Sequence, residues 1–127
     1  MEIIQTKKAP AAVGPYCQGA SSQGKKLIFT SGQLPLCPES GELVTSSIKD
    51  ATIRSLKNVL AVVEAGGGSL ESIIKVNIYL NDINDFAAVN EVYEEFFKEH
   101  KPARSCLEVA KLPKGGLLEI EAIAEAN

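Results

Sequence analysis

Tryptophan is absent from this chain, histidine occurs once, and no two of its three cysteines stand in a C-x-x-C spacing. With His100 alone and no clustered Cys, Asp and Glu, there is no three-ligand metal site and no Ser-His-Asp machinery to assemble, so neither metal nor metal-assisted hydrolysis is expected. His100 itself reads as a solvent-facing residue near a helix C-terminus, where a cation is favoured. Cys17, Cys37 and Cys106 are an odd set, which argues against a disulfide framework and for free thiols. Apolar runs of about 18 residues, long enough to cross a bilayer, are lacking. The start, Met1 to Lys8, has no apolar leader core, and a cytoplasmic protein without membrane partners is expected. Positive charge is not in excess either: the net charge of -3 opposes the broad basic surface on which nucleic-acid affinity rests. No GxGxxG or P-loop calls for a nucleotide cofactor.

What remains is a chain of 127 residues, 45% hydrophobic and 23% charged, with a mean hydropathy of +0.03. That is one globular domain, 1–127, able to remove roughly two-thirds of its unfolded surface from water. Lys26 to Ser31 is rich in β-formers and ends at Gly32, before a loop marked by Pro35, Pro38 and Gly41. Ser47 with Asp50 has capping-box character, and Ala51, Leu56, Val59, Leu60 and Val63 recur at helical spacing, predicting a helix from Ile48 to Ala65 that Gly66–Gly68 closes. Ile73 to Leu80 alternates as a strand with Ile74, Val76, Ile78 and Leu80 on one face. Asp85 is placed to cap a second helix, with Phe86, Val89, Tyr93, Phe96 and Phe97 on one stripe. Strands follow from Arg104 to Val109 and from Leu117 to Ala124, with an antiparallel hairpin as their simplest connection. Short strands are expected at Ile3–Thr6 and Tyr16–Ala20. The class is α+β, a mixed sheet with two helices on one face. The other face, with Glu119, Glu121 and Ile123, is left for partner subunits or enclosed water, which points to a homo-oligomer.

Alternation places Arg104, Cys106 and Glu108 on one side of their strand. A guanidinium there has two readings, a bidentate clamp on a substrate carboxylate or an ordinary ion pair. Cys106 is a packed thiol or, less simply, a nucleophile lacking a nearby base. Glu119 could hold and activate a water if the hairpin register sets it beside Arg104; otherwise it is a solvated glutamate like Glu121. Asn90 interrupts an apolar stripe, so its amide either locks a loop or supports a site. Ser31-Gly32-Gln33 and Gly14-Pro15-Tyr16 are either turns or places where a ligand approaches backbone and ring.

Taken together, Ala9 to Tyr16, Ser31-Gly32-Gln33-Leu34-Pro35, Asp85-Phe86 with Val89-Asn90 and Tyr93, Pro102 to Cys106, and Glu119 to Ala124 resemble the RidA/YjgF/YabJ family over essentially the whole chain. The resemblance implies a chorismate-mutase-like fold, a homotrimer with sites between subunits, and cofactor-free hydrolysis of 2-iminobutanoate and 2-iminopropanoate to 2-keto acids and ammonia. It also implies roles: Arg104 for the substrate carboxylate, Glu119 for the attacking water, and Tyr16, Ser31, Gly32 and Cys106 as walls and contacts of the cleft, with Asn90 in support. Lys101 departs from the Phe that several relatives carry before Pro-Ala-Arg, altering the cleft rim. A non-catalytic ligand-binding regulator is the main alternative within the same resemblance; a ribonuclease or translation inhibitor is disfavoured by the acidic charge and the single histidine.

Overall fold

A computed structural model of the chain describes residues 1–8, 11–12 and 14–127, so Ala9, Pro10 and Val13 of the first motif lie outside the described residues. The first helix, α1, runs Ile48–Ala65, with the Ser47 side chain accepting from the Asp50 N–H. The Gly66 N–H closes its last turn on Val62 and Val63, and Gly67 then takes a left-handed conformation at φ +94°. Strand β4, Ile73–Leu80, follows, then helix α2, Phe86–Phe97, strand β5, Ala103–Glu108, and β6, Leu118–Glu125. Three short strands precede them: β1 at Glu2–Ile4, β2 at Gly19–Ser21 and β3 at Leu27–Phe29. β1 and β2 form an antiparallel pair of their own.

The main sheet has the order β3-β6-β4-β5. The expected hairpin between the last two strands is therefore absent: β4 lies between them, antiparallel to β6 and parallel to β5. The physical reason is that α2 carries the chain across from β4 and returns it in the same direction, the connection that a parallel pair needs. Ala51, Leu56, Val59 and Val63 of α1 and Val89, Val92, Tyr93 and Phe97 of α2 share one core with Val76, Ile78 and Leu80 of β4 and Leu118, Ile120, Ala122 and Ala124 of β6. Both helices thus cover one face, as expected, and the other carries Tyr79, Glu119, Glu121, Ile123, Leu107 and Phe29. Phe29 on that open face is 67% exposed.

Three local expectations are corrected. Ile73, not Ile74, joins the core, because β4 shifts register between Ile73 and Lys75. Asp85 makes no side-chain cap for α2; the chain enters through a 3-10 turn, Ile83–Asp85, and Asp82 caps that turn by accepting from the Asn84 N–H at 2.9 Å. His100 is half-buried rather than solvent-facing, with Nε2 2.7 Å from the Ile73 carbonyl. Since a carbonyl only accepts, Nε2 carries the proton. The β4–β5 ladder begins at Lys75 and Ala103, leaving that carbonyl beyond its end for the histidine to take.

Among the described residues no helix is long and apolar enough to cross a membrane. Ile78, fully buried at 0% exposure, should lose about 2–5 kcal/mol of stability on substitution by Ala. Ile53→Ala, at a site 38% exposed, should cost less than about 1 kcal/mol. Urea midpoints of the two variants check the difference; equal midpoints would contradict this assignment of the core.

Candidate active site

Arg104 is the second residue of β5 and pairs with Val76 of β4, so its side chain emerges on the helix-covered side at the sheet edge. There α2 meets it with three side chains from one stripe, Phe86, Asn90 and Tyr93, spaced four and three residues apart. Nη1 donates to Asn90 Oδ1 at 2.6 Å. The guanidinium carbon stands 4.8 Å from the Tyr93 ring centroid and 5.6 Å from that of Phe86. Tyr16 supplies a third ring at 5.6 Å. All three are within cation–π range.

Tyr16 arrives on a segment that runs beside β5, where Cys17 bridges Ala103 and its N–H donates to the Pro102 carbonyl at 3.3 Å. A tight turn, Tyr16 N–H to Gly14 carbonyl at 2.8 Å, folds the ring back. A Cβ on Gly14 would stand 3.2 Å from Tyr16 Cε1, so glycine lets the ring lie close against the turn. The half-buried Arg104 has no carboxylate within salt-bridge distance among the described residues. Among the described residues of one chain the ion-pair reading of this arginine thus finds no partner, and the groups against its guanidinium are Asn90 and three rings.

Burial pushes the Cys106 thiol up, and the Arg104 guanidinium pulls it partly back. Burial likewise raises the Tyr93 phenol, again opposed by Arg104. The Tyr93 hydroxyl is enclosed and has no hydrogen-bond partner among the described residues. Three of the expected site residues, Tyr16, Asn90 and Cys106, thus gather with Arg104.

Glu119 does not join them. It pairs with Tyr79, three residues along β4 from Val76, and projects to the open face. β6 and β5 are two strand spacings apart, so the two backbones are separated by roughly 10 Å across the sheet and roughly 10 Å along it, with side chains on opposite faces. The hairpin register that would have brought Glu119 beside Arg104 within one chain is overturned by the position of β4. Glu119 instead meets Gly32: a Cβ there would be 2.6 Å from its Cδ. Gly32 and the exposed Ser31 follow β3, and Gln33 then exchanges backbone hydrogen bonds with Ile120 at 2.7 and 3.1 Å. Glu121, two residues along the same face, accepts from the Tyr79 hydroxyl at 2.7 Å. That bond, with burial and the Glu121 charge, pushes the phenol up to about 12.

The expected residues therefore fall into two groups, Arg104 with Tyr16, Asn90 and Cys106 on one face, and Glu119 with Ser31 and Gly32 on the other. Sequence reading missed the walls Phe86 and Tyr93, since aromatics at helical spacing read equally as core. It also missed Asn58 of α1, whose Nδ2 donates to the carbonyls of Leu34 and Leu36 at 3.2 and 2.9 Å and so clamps the chain that follows Gly32. A polar residue beside the buried stripe of α1 was the available signal. Among the described residues no group of three or more His, Cys, Asp or Glu could hold a metal.

The Endoribonuclease L-PSP family model matches residues 6–126. The chain is 50% identical over 126 residues to the 2-iminobutanoate/2-iminopropanoate deaminase of Escherichia coli K12, covering 97% of this chain and 96% of that protein. It is 51% identical over 123 residues to a RutC family protein of Pyrococcus abyssi, covering 97% and 95% of the two. Among solved structures it is similar to E. coli TdcF with bound serine, at TM-score 0.76 and 49% identity over 100% of both chains. It is similar to the E. coli YjgF gene product at TM-score 0.76 and 47% identity, again over 100% of both.

The Cys106 thiol gives a chemical reporter of the arginine. Raised by burial, it should ionise, and so react with iodoacetamide, only at higher pH than a free cysteine. Arg104→Met removes the one influence that lowers it, so the alkylation profile of Cys106, followed by mass spectrometry, should move to still higher pH. A shift to lower pH would contradict the geometry.

Proposed function

Since the chain belongs to the Endoribonuclease L-PSP family, the RidA/YjgF family of its motifs, we propose that it is an enamine/imine deaminase hydrolysing 2-iminobutanoate and 2-iminopropanoate to 2-keto acids and ammonia. The observation that carries this reading is the Arg104 guanidinium, half-buried, oriented by Asn90 and three rings, and facing no carboxylate of its own among the described residues. Such a group is completed by a ligand carboxylate through two parallel hydrogen bonds.

An imine conjugated to a carboxylate is already electrophilic, so the chemistry asks for orientation and proton transfer and needs no cofactor. Arg104 fixes the carboxylate. Glu119 orients a water and takes its proton as the oxygen bonds to the imine carbon, and passes that proton to nitrogen to give a carbinolamine. The carbinolamine hydroxyl then yields its proton by way of Glu119 to the same nitrogen as C=O forms and the C–N bond breaks, and ammonia and the 2-keto acid leave. Cys106, Tyr16, Ser31 and Gly32 line the cleft.

Because the two half-sites lie on opposite faces of one chain, a complete site takes Arg104 from one copy and Glu119 from another. A homotrimer with three such clefts satisfies this, and its contact would cover the apolar and polar side chains of the open face. We place the protein in the cytoplasm, where small 2-imino acids arise. A non-catalytic regulator would use the same arginine cleft, and the assay below separates the two. RNA cleavage, which the family description suggests, is opposed by the net charge of -3 and by the engagement of the only histidine with the Ile73 carbonyl.

Ammonia release from iminobutanoate, made in the assay by a threonine dehydratase, should be accelerated by the protein. Arg104→Ala should raise KM about tenfold to a hundredfold, the loss of a charge-assisted pair. Glu119→Ala should lower kcat about 10²- to 10⁴-fold with a smaller effect on KM. Wild-type rates in both variants would sink the mechanism, and no acceleration by wild type would leave ligand binding as the function.

Subunit mixing tests the shared site. At substrate well below KM, where Arg104→Ala and Glu119→Ala proteins are each nearly inactive, co-refolding should restore about a quarter of wild-type activity, since each site draws one intact residue from each of two randomly chosen copies. No recovery in mixed oligomers would refute a site between copies.

A further inference from the structure

Strand β3 continues past Phe29 with one residue too many. Phe29 pairs with Ile123 and the next bridge joins Gln33 to Ile120. Thr30, Ser31 and Gly32 therefore stand opposite only Glu121 and Ala122, the arrangement of a β-bulge.

The bulge is held by a side chain. Thr30 N–H donates to the Ala122 carbonyl at 2.9 Å. The return bond runs from Ala122 N–H to Thr30 Oγ1 at 3.0 Å and is buried, so a hydroxyl stands where a regular ladder would use the Thr30 carbonyl. Thr30 is only 8% exposed, which leaves little room for water to replace that acceptor. Releasing the carbonyl from the ladder lets the peptides of Ser31 and Gly32 leave the strand line, and Gly32 then reaches the Glu119 carboxylate on the open face.

We propose that Thr30 is a positioning residue for Glu119: its hydroxyl oxygen, by satisfying Ala122 N–H, fixes the bulge and thereby the place where Gly32 confines the catalytic carboxylate. The proposal rests on Glu119 being the group that orients the water. Threonine is needed here for its oxygen, and valine, of nearly the same shape, lacks it.

The test is steady-state imine hydrolysis by Thr30→Val, Thr30→Ser, Gly32→Ala and Glu119→Gln. Thr30→Val should lower kcat about tenfold or more with KM within about twofold, while Thr30→Ser restores kcat to within about threefold of wild type. Gly32→Ala displaces the same carboxylate without leaving a buried polar group unpaired, and should reproduce the loss in kcat even if Thr30→Val fails to fold. In the Glu119→Gln background Thr30→Val should cost no further turnover, because the two act as one unit.

Wild-type kcat in Gly32→Ala, equal defects in Thr30→Ser and Thr30→Val, or an undiminished effect of Thr30→Val in the Glu119→Gln background would each overturn the role of Thr30. Full activity in Glu119→Gln alone would instead bring down the reading of Glu119 on which it rests.

Discussion

Strand β4 is hydrogen-bonded along both sides, parallel to β5 and antiparallel to β6, and its pleat decides where the chemistry can be. Val76 and Tyr79 are an odd number of residues apart, so they point to opposite faces. Each hands its face to the neighbour in register: Val76 to Arg104, Tyr79 to Glu119. Arg104 is thereby delivered under α2, and Glu119 is delivered to the face without helices. Within one chain those two pairings keep Arg104 and Glu119 on opposite sides of the sheet.

The periodic parts of the fold were legible in the sequence. Helix α1 was bounded by its cap and its glycines, and alternation gave the buried face of β6 and that of β4 from Val76 onward, because these signals are local. Strand neighbours are not local. A short segment with Pro113, Gly115 and Gly116 between two strands looks like a hairpin, and periodicity cannot report that a third strand occupies the place between them. The same limit bears on the candidate site: alternation linked Arg104 to Cys106, the resemblance alone joined Tyr16, Ser31, Gly32, Asn90 and Glu119 to them, and the register of β4 sets Glu119 apart from Arg104 within one chain. Phe86 and Tyr93 were named as core and serve also as walls, a double use that spacing does not reveal.

Among the described residues Arg104 is held without the acid that usually accompanies a partly buried cation. Each aromatic ring contributes about 0.5–1 kcal/mol at such distances, and the Asn90 hydrogen bond to a charged group about 1.5–3 kcal/mol. These offset much of a desolvation cost that runs to several kcal/mol for a buried ion, and they do so without neutralising the charge. The guanidinium is thus pre-oriented yet still electrostatically open to an anion.

The extra residue after β3 also changes parity. Leu27 and Phe29 share the open face with their partners on β6, and an uninterrupted strand would keep sending odd-numbered residues there. Gln33, after the bulge, is paired with the buried Ile120 instead and lines a hollow with Leu36, Asn58 and Ala61 on the helix side. One inserted residue has exchanged inside for outside, and it is this inversion that lets the Leu34 and Leu36 carbonyls come to Asn58. A chain shortened by a single residue between Thr30 and Gly32 would keep Gln33 opposite Ile120 and the later segment under α1, yet it would lay Gly32 flat in a regular ladder opposite Glu121 and take it away from Glu119.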